Sequence, residues 1–325
     1  MSSPPAAPAA PVATVLSGGV GAARLLAGLA QVTDPAGLTA VVNTGDDTVM
    51  HGLHISPDLD TITYTLAGAI DPERGWGLGG ETWAAMAALE RYVAVRPDGS
   101  QAAPTWFNLG DRDLATHLYR TARLAEGARL TEVTAEITRA WGLATRLLPM
   151  SDDRVATIVD VVDEGELSFQ DYFVRRRHDV AVRGVRIDHD DARPTAAVLD
   201  ALREAGTVVI APSNPLVSIG PLRALPGVDD ALSARRDSVV AVSPIVGGAA
   251  LKGPADRMLR ELGFDASVVG VAGLYAPVAG TLVVDRVDAD LADAVEAAGM
   301  RCVVTDTVMS VPGVSAALGR LLLER

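Results

Sequence analysis

Four aspartates in two short segments, Asn43-Thr44-Gly45-Asp46-Asp47 and Ser56-Pro57-Asp58-Leu59-Asp60-Thr61, are the residues best placed for chemistry. Carboxylates this close suit a hard cation such as Mg²⁺, which takes one or two of them together with substrate phosphates. One could instead take the proton of an alcohol nucleophile. Capping by Ser56 or Asp58, or plain solvation, accounts for any one of them alone; four in adjoining loops favour function for the set. Just upstream lies Ser17-Gly18-Gly19-Val20-Gly21. Glycines there let backbone approach a phosphate, and the helix behind them offers unpaired N–H donors. The run is neither a dinucleotide fingerprint nor a Walker loop, since no Gly-Lys-Ser/Thr follows, and a tight strand-to-helix turn explains it equally.

Other segments carry weaker signals. In Ala211-Pro212-Ser213-Asn214-Pro215, Ser213 and Asn214 could present donors to a nucleotide or form a Pro-bounded turn. Asn108-Leu109-Gly110-Asp111-Arg112-Asp113 precedes a helix containing His117. Asp111 or Asp113 is expected to cap that helix, and Arg112 either clamps a phosphate or pairs with nearby aspartates. His51, His54 and His117 stay undecided. Trp76, Trp83 and Trp106 could stack on a planar ring or pack at the rim. Nothing resembles a Ser-His-Asp triad.

The elements that must position these residues alternate. Val12–Leu16 and Leu38–Val42 are β-rich runs that empty into the glycine and acidic loops. Residues 58–150 carry helical patterns at Glu81–Tyr92, Asp113–Ala125 and Thr131–Trp141, the last with a capping pattern beginning at Thr131. A hairpin is expected around Asp163-Glu164-Gly165-Glu166. Strand and helix then alternate, with strands at Thr207–Ala211, Val239–Val242, Thr281–Val284 and Arg301–Val304. Helices fall at Thr195–Ala205, Leu222–Leu225, Pro254–Leu262, Leu291–Ala298 and Val314–Leu323. This order predicts an α/β fold: a Rossmann-like, mostly parallel sheet with helices on both faces and a mainly helical insertion over 58–150 at its ligand edge. The Ala/Pro-rich residues 1–11 read as a frayed tail before a domain spanning 12–325.

Bulk composition narrows the partners. A net charge of −13, from 28 basic and 41 acidic residues, disfavours general nucleic-acid binding, which needs a broad basic face. Small anionic substrates remain compatible. No apolar run approaches the roughly 20 residues of a membrane helix. One cysteine, Cys302, permits no intrachain disulfide and fits a reducing cytoplasm.

Taken together, the glycine run, both acidic segments, Leu109–His117, Leu148–Asp153, Phe169–Phe173, Ala211–Pro215 and Ser243–Gly247 resemble, in order, the 2-phospho-L-lactate transferase family with its phosphoenolpyruvate transferase branch. The resemblance implies a step in making coenzyme F420. A phospholactyl or phosphoenolpyruvyl unit passes from a guanosine diphosphate conjugate to the deazaflavin alcohol FO, GMP leaves, and Mg²⁺ is required. It implies that Asp60 and Asn108 contact FO, although relatives can carry a basic residue at the second position. Gly18, Gly19, Gly21, Ser213 and Asn214 would hold the nucleotide phosphates. Asp46 and Asp47 would bind metal, with Asp47 or Asp60 as the catalytic carboxylate. A homodimer is expected on the same ground. The rival is a nucleotide-sugar-binding regulator without catalysis, from a related group with similar glycine and Asn-Pro signatures. A generic NAD-dependent dehydrogenase is the third reading, weakened by the missing fingerprint.

Overall fold

The structure, a computed structural model, describes residues 10–324. Most of the expected tail therefore lies outside the described residues. Its last residue does not: the Pro11 carbonyl accepts the Gly206 N–H at 3.0 Å.

Seven parallel strands form the main sheet: β1 (Ala13–Ser17), β2 (Leu38–Val42), β3 (Arg146–Pro149), β4 (Thr207–Ile210), β5 (Val239–Val242), β6 (Thr281–Asp285) and β7 (Arg301–Thr305). They lie in the spatial order β3-β2-β1-β4-β5-β6-β7. Five of them, β1, β2, β4, β5 and β6, are buried throughout, which is why their sequences are mostly apolar, Val-rich runs and not a polar-apolar alternation. The edge strands β3 and β7 each open on an exposed arginine. Helices cover both faces, and the apolar core divides into one large cluster on each side. Strand order reverses between β1 and β4. In such sheets that reversal opens a crevice at the carboxyl ends of the strands.

The crossover from β2 to β3 holds a hairpin (Thr48–Met50 with Leu53–Ile55) and helices α2 (Pro57–Leu66), α3 (Ala84–Val93), α4 (Leu114–Ala125) and α5 (Leu130–Ala140), while α1 (Gly19–Leu29) follows β1. Helix α2 belongs to the main core: Leu59 and Ile62 pack in one cluster with Leu25, Leu26 and Leu29. A smaller cluster of Met50, Ile55, Met86 and Leu109 holds the outer part of the insertion. The span 58–150 also ends in a sheet strand, β3, because Leu147 and Leu148 are buried beside β2.

The expected hairpin forms from Ala156–Val161 and Gly165–Ser168, with Asp163 and Gly165 at positive φ (69° and 78°). A third strand, Val182–Asp188, joins its other side. Thr131 does not cap α5; it sits inside the helix, and its N–H donates to Asp152 Oδ1 at 2.7 Å. Glu132 instead reaches back to the Arg129 N–H at 2.9 Å.

Candidate functional site

A cleft of about 870 Å³ opens over the carboxyl ends of the strands. That is large for one small molecule and ample for a nucleotide beside a second ligand. Gly18, Gly19, Gly21, Asp46, Asp60, Asn108, Ser213 and Asn214 all line it. Asp47 does not, nor do His51, His54, Trp83, Asp111 and Arg112.

On the sheet side, the glycine run turns β1 into α1. Gly19 takes a left-handed φ of +70°. Gly18 and Gly21 answer a different demand, close approach: a Cβ at Gly21 would lie 2.3 Å from the Pro212 carbonyl oxygen, and one at Gly18 would lie 2.8 Å from Ser218 Cβ. The loops after β1 and β4 are thus pressed together at the strand-order reversal. Ser213, 5% exposed, donates its hydroxyl to the Gly18 carbonyl at 2.7 Å. Asn214 Oδ1 accepts the Leu216 N–H at 2.9 Å. Both side chains brace the loops, so any hold on phosphate falls to backbone groups at the start of α1, where Gly18 itself supplies no side-chain cap.

The carboxylates form two groups. Asn43 Nδ2 donates to Asp46 Oδ1 and to Asp58 Oδ2, each at 3.0 Å, so both acids crowd one amide. Asp58 Oδ1 also accepts the Gly19 N–H at 2.7 Å, capping α1 and not its own helix. Burial raises Asp58 to about 6. Asp46 is raised well above the usual carboxylate range, first by burial and then by the Asp58 and Asp47 charges. Burial likewise raises Asp47 well above that range. Ser56 donates to Asp47 Oδ2 at 2.6 Å, while Asp47 Oδ1 is buried without a partner. An all-oxygen set of crowded acids with one orphaned oxygen fits a hard divalent cation, whose charge relieves their repulsion.

The second group surrounds Asp60. Arg120, 2% exposed, grips both Asp60 oxygens, Nη1 to Oδ2 at 3.1 Å and Nη2 to Oδ1. His117 stands between two acids, Nδ1 3.7 Å from Asp60 and Nε2 3.4 Å from Asp113. Tyr64 donates its hydroxyl to Asp113, and burial raises the phenol pKa. Asp60, Asp113 and His117 could hold a metal ion, since one ligand atom from each lies within 4.8 Å of the others. The Arg120 guanidinium already neutralises Asp60, so the Asp46–Asp58 side suits a dication better.

The segment before α4 is a reciprocal clamp. Asp111 accepts the N–H groups of Ala84 and Ala85 at 2.8 and 3.0 Å and caps α3, the neighbouring helix. Glu81 accepts those of Arg112 and Asp113 at 2.8 and 2.9 Å. Arg112 donates to the Gly79 carbonyl, a structural bond and not a phosphate clamp. The sequence reading missed Arg120, Asn43 and the placement of Asp58. Arg120 had a signal: it lies three residues after His117 on one face of α4, and a buried arginine demands a buried acid.

A Rossmann-type sheet whose glycine turn and acidic loops meet in one large cleft is the architecture on which α/β proteins hold phosphorylated ligands. The family model for 2-phospho-L-lactate transferase CofD matches residues 13–322. A phosphoenolpyruvate transferase from Streptomyces griseus is 42% identical over 317 residues, 95% of this chain and 96% of that protein. One from Mycolicibacterium smegmatis is 40% identical over 326 residues, covering 96% and 97%. Among solved structures, protein BH3568 from Bacillus halodurans has a TM-score of 0.62 at 16% identity, covering 97% of this chain and 99% of that one, which speaks for the fold alone. The chain belongs to the CofD family and is a transferase.

Proposed function

We propose that the chain transfers a phosphoenolpyruvyl group, or its 2-phospho-L-lactyl counterpart, from a guanosine diphosphate-activated donor to FO, releasing GMP. The enolpyruvyl donor is favoured because relatives over 40% identical across nearly the whole chain bear the name phosphoenolpyruvate transferase. The observation that carries the reading is the shared cleft, which the glycine turn, Asp60 and Asn108 line together.

The acceptor is a primary alcohol, a weak nucleophile that must be aligned with phosphorus. Its oxygen attacks the phosphorus bearing the enolpyruvyl oxygen, the bond to the GMP phosphate oxygen breaks, and the alcohol proton passes to the Asp60 carboxylate. Asp60 orients that hydroxyl. Its carboxylate is held in one direction by Arg120 and retains lone pairs for a further donor. Asn108 is exposed and lines the same cleft, with an amide free to hydrogen-bond a polar ring edge. Backbone N–H groups of the glycine turn hold the diphosphate. Mg²⁺, when bound, neutralises charge on the phosphoryl oxygens and the departing GMP; Asp46 and Asp58 would hold it, with Asp47 behind them. A homodimer and a cytoplasmic location belong to this proposal on the ground of family resemblance.

The test incubates the protein with FO, Mg²⁺ and each activated donor, following GMP and product mass. Coupled product with stoichiometric GMP is expected. Absence of product with both donors, together with binding of a UDP-sugar, would turn the reading towards a regulator. Asp60→Asn should lower transfer sharply while FO and nucleotide still bind; full activity in that variant rejects the role given to Asp60.

A further inference from the structure

Lys252 is the single lysine in a chain with 28 basic residues, and it lines the cleft. It follows the short Ile245–Val246 and Ala249–Ala250 hairpin and precedes Gly253, whose φ is +71°. A Cβ at Gly75 would lie 2.9 Å from Lys252 Nζ and 3.8 Å from Val20 Cγ1. Val20 is the second residue of α1, directly after Gly19, so the ammonium and the side chain at the start of α1 both border Gly75 on the rim.

Three arginines around it are committed. Arg74 pairs with Asp71 at 2.9 Å, donates to the Leu78 carbonyl at 3.0 Å, and lies over the rings of Trp76 and Trp83. Arg257 and Arg260 pair with Glu261 and Asp256. Lys252 pairs with no carboxylate among the described residues. Arg24 is another cleft-lining cation, but it stands a turn further along α1, whereas Lys252 shares the Gly75 border with Val20. Asp46 and Asp58 stand beside the phosphate turn, so a positive charge at that rim lowers the cost of bringing a diphosphate to it. Arginine supplies the planar, two-pronged pairs elsewhere in this chain. An ammonium on a flexible stem suits the shifting oxygens of a phosphoryl group.

We propose that Lys252 is the diphosphate clamp of the cleft, pairing its ammonium with phosphate oxygens of the nucleotide held on the glycine turn. The proposal rests on the donor reading above and adds a positioning role for a residue outside the acidic loops.

The experiment uses the full chain with Mg²⁺ and measures binding of GDP, guanosine and FO to wild type, Lys252→Gln and Lys252→Arg. Lys252→Gln should weaken GDP about tenfold or more, roughly 1.4 kcal/mol, and leave guanosine and FO unchanged. Lys252→Arg should recover part of the loss. A second arm exploits the single lysine. Acetylation by an amine-selective reagent, read by peptide mass, should label Lys252 in the free protein, and GDP with Mg²⁺ should protect it. Equal GDP affinity in wild type and Lys252→Gln, or labelling indifferent to GDP, overturns the clamp while leaving the donor reading in place. Parallel loss of GDP, guanosine and FO affinity with a lowered melting temperature would make Lys252 a packing residue and also overturn it. A wild-type chain that binds no GDP overturns both readings.

Discussion

The two walls of the cleft are built by different means. The sheet wall uses backbone: Gly18 and Gly21 let two loops touch, Gly19 takes a left-handed turn, and Ser213 ties the loops with one buried hydrogen bond. The helical wall uses buried charge, with Asp60, Arg120, His117, Asp113 and Tyr64 clustered between α2 and α4, although His117 Nε2 and Arg120 Nε keep no hydrogen-bond partner. Backbone walls tolerate no added atoms. Charged walls tolerate no missing partner. A wall of the first kind suits the chemically uniform diphosphate, and one of the second kind can hold a directed carboxylate against a specific alcohol.

Substitutions can break this contrast at either wall. The largest effect is expected from Arg120→Ala, which strands the Asp60 charge in the interior and should cost about 3–5 kcal/mol of stability in urea unfolding. FO binding should fall with it. Gly21→Ala drives a methyl group into the Pro212 carbonyl and should cost about 1–3 kcal/mol, with GDP affinity falling and FO affinity preserved in the folded fraction. Thr195→Ala removes the side-chain cap of the helix Ala196–Glu204, distant from both walls, and should cost about 1 kcal/mol by thermal melting without changing either affinity. The smallest effect belongs to Asn108→Ala. Its side chain is exposed, so loss of one hydrogen bond should weaken FO by about 0.5–1.5 kcal/mol in a direct titration and leave stability unchanged.

The contrast also explains what could be read from the chain before its structure. β2 is found at Leu38–Val42 and β5 at Val239–Val242 because buried parallel strands are mostly apolar, Val-rich runs. The glycine and acidic loops are local patterns, and both fall at the expected sheet edge. Helix Val268–Tyr275 is missed: it is apolar on all sides and carries two glycines, so no amphipathic period marks it. Strand Arg146–Pro149 is hidden behind a proline and an exposed arginine at the sheet edge. Asp111 and Asp113 stand at a helix start in sequence, but apart from the i,i+4 contact of Asp113 with His117 their partners come from residues 81–85 and from Tyr64, and no local pattern encodes those pairings. The grip of Arg120 on Asp60 spans 60 residues and appears only when α2 and α4 pack.

The central claim is that the two walls serve two ligands at once. Titration of FO into protein already saturated with GDP and Mg²⁺ tests it most directly. One FO per chain should bind, with affinity equal to or greater than in the absence of GDP. Mutual displacement of FO and GDP would contradict the claim, because it would place both ligands at the same wall.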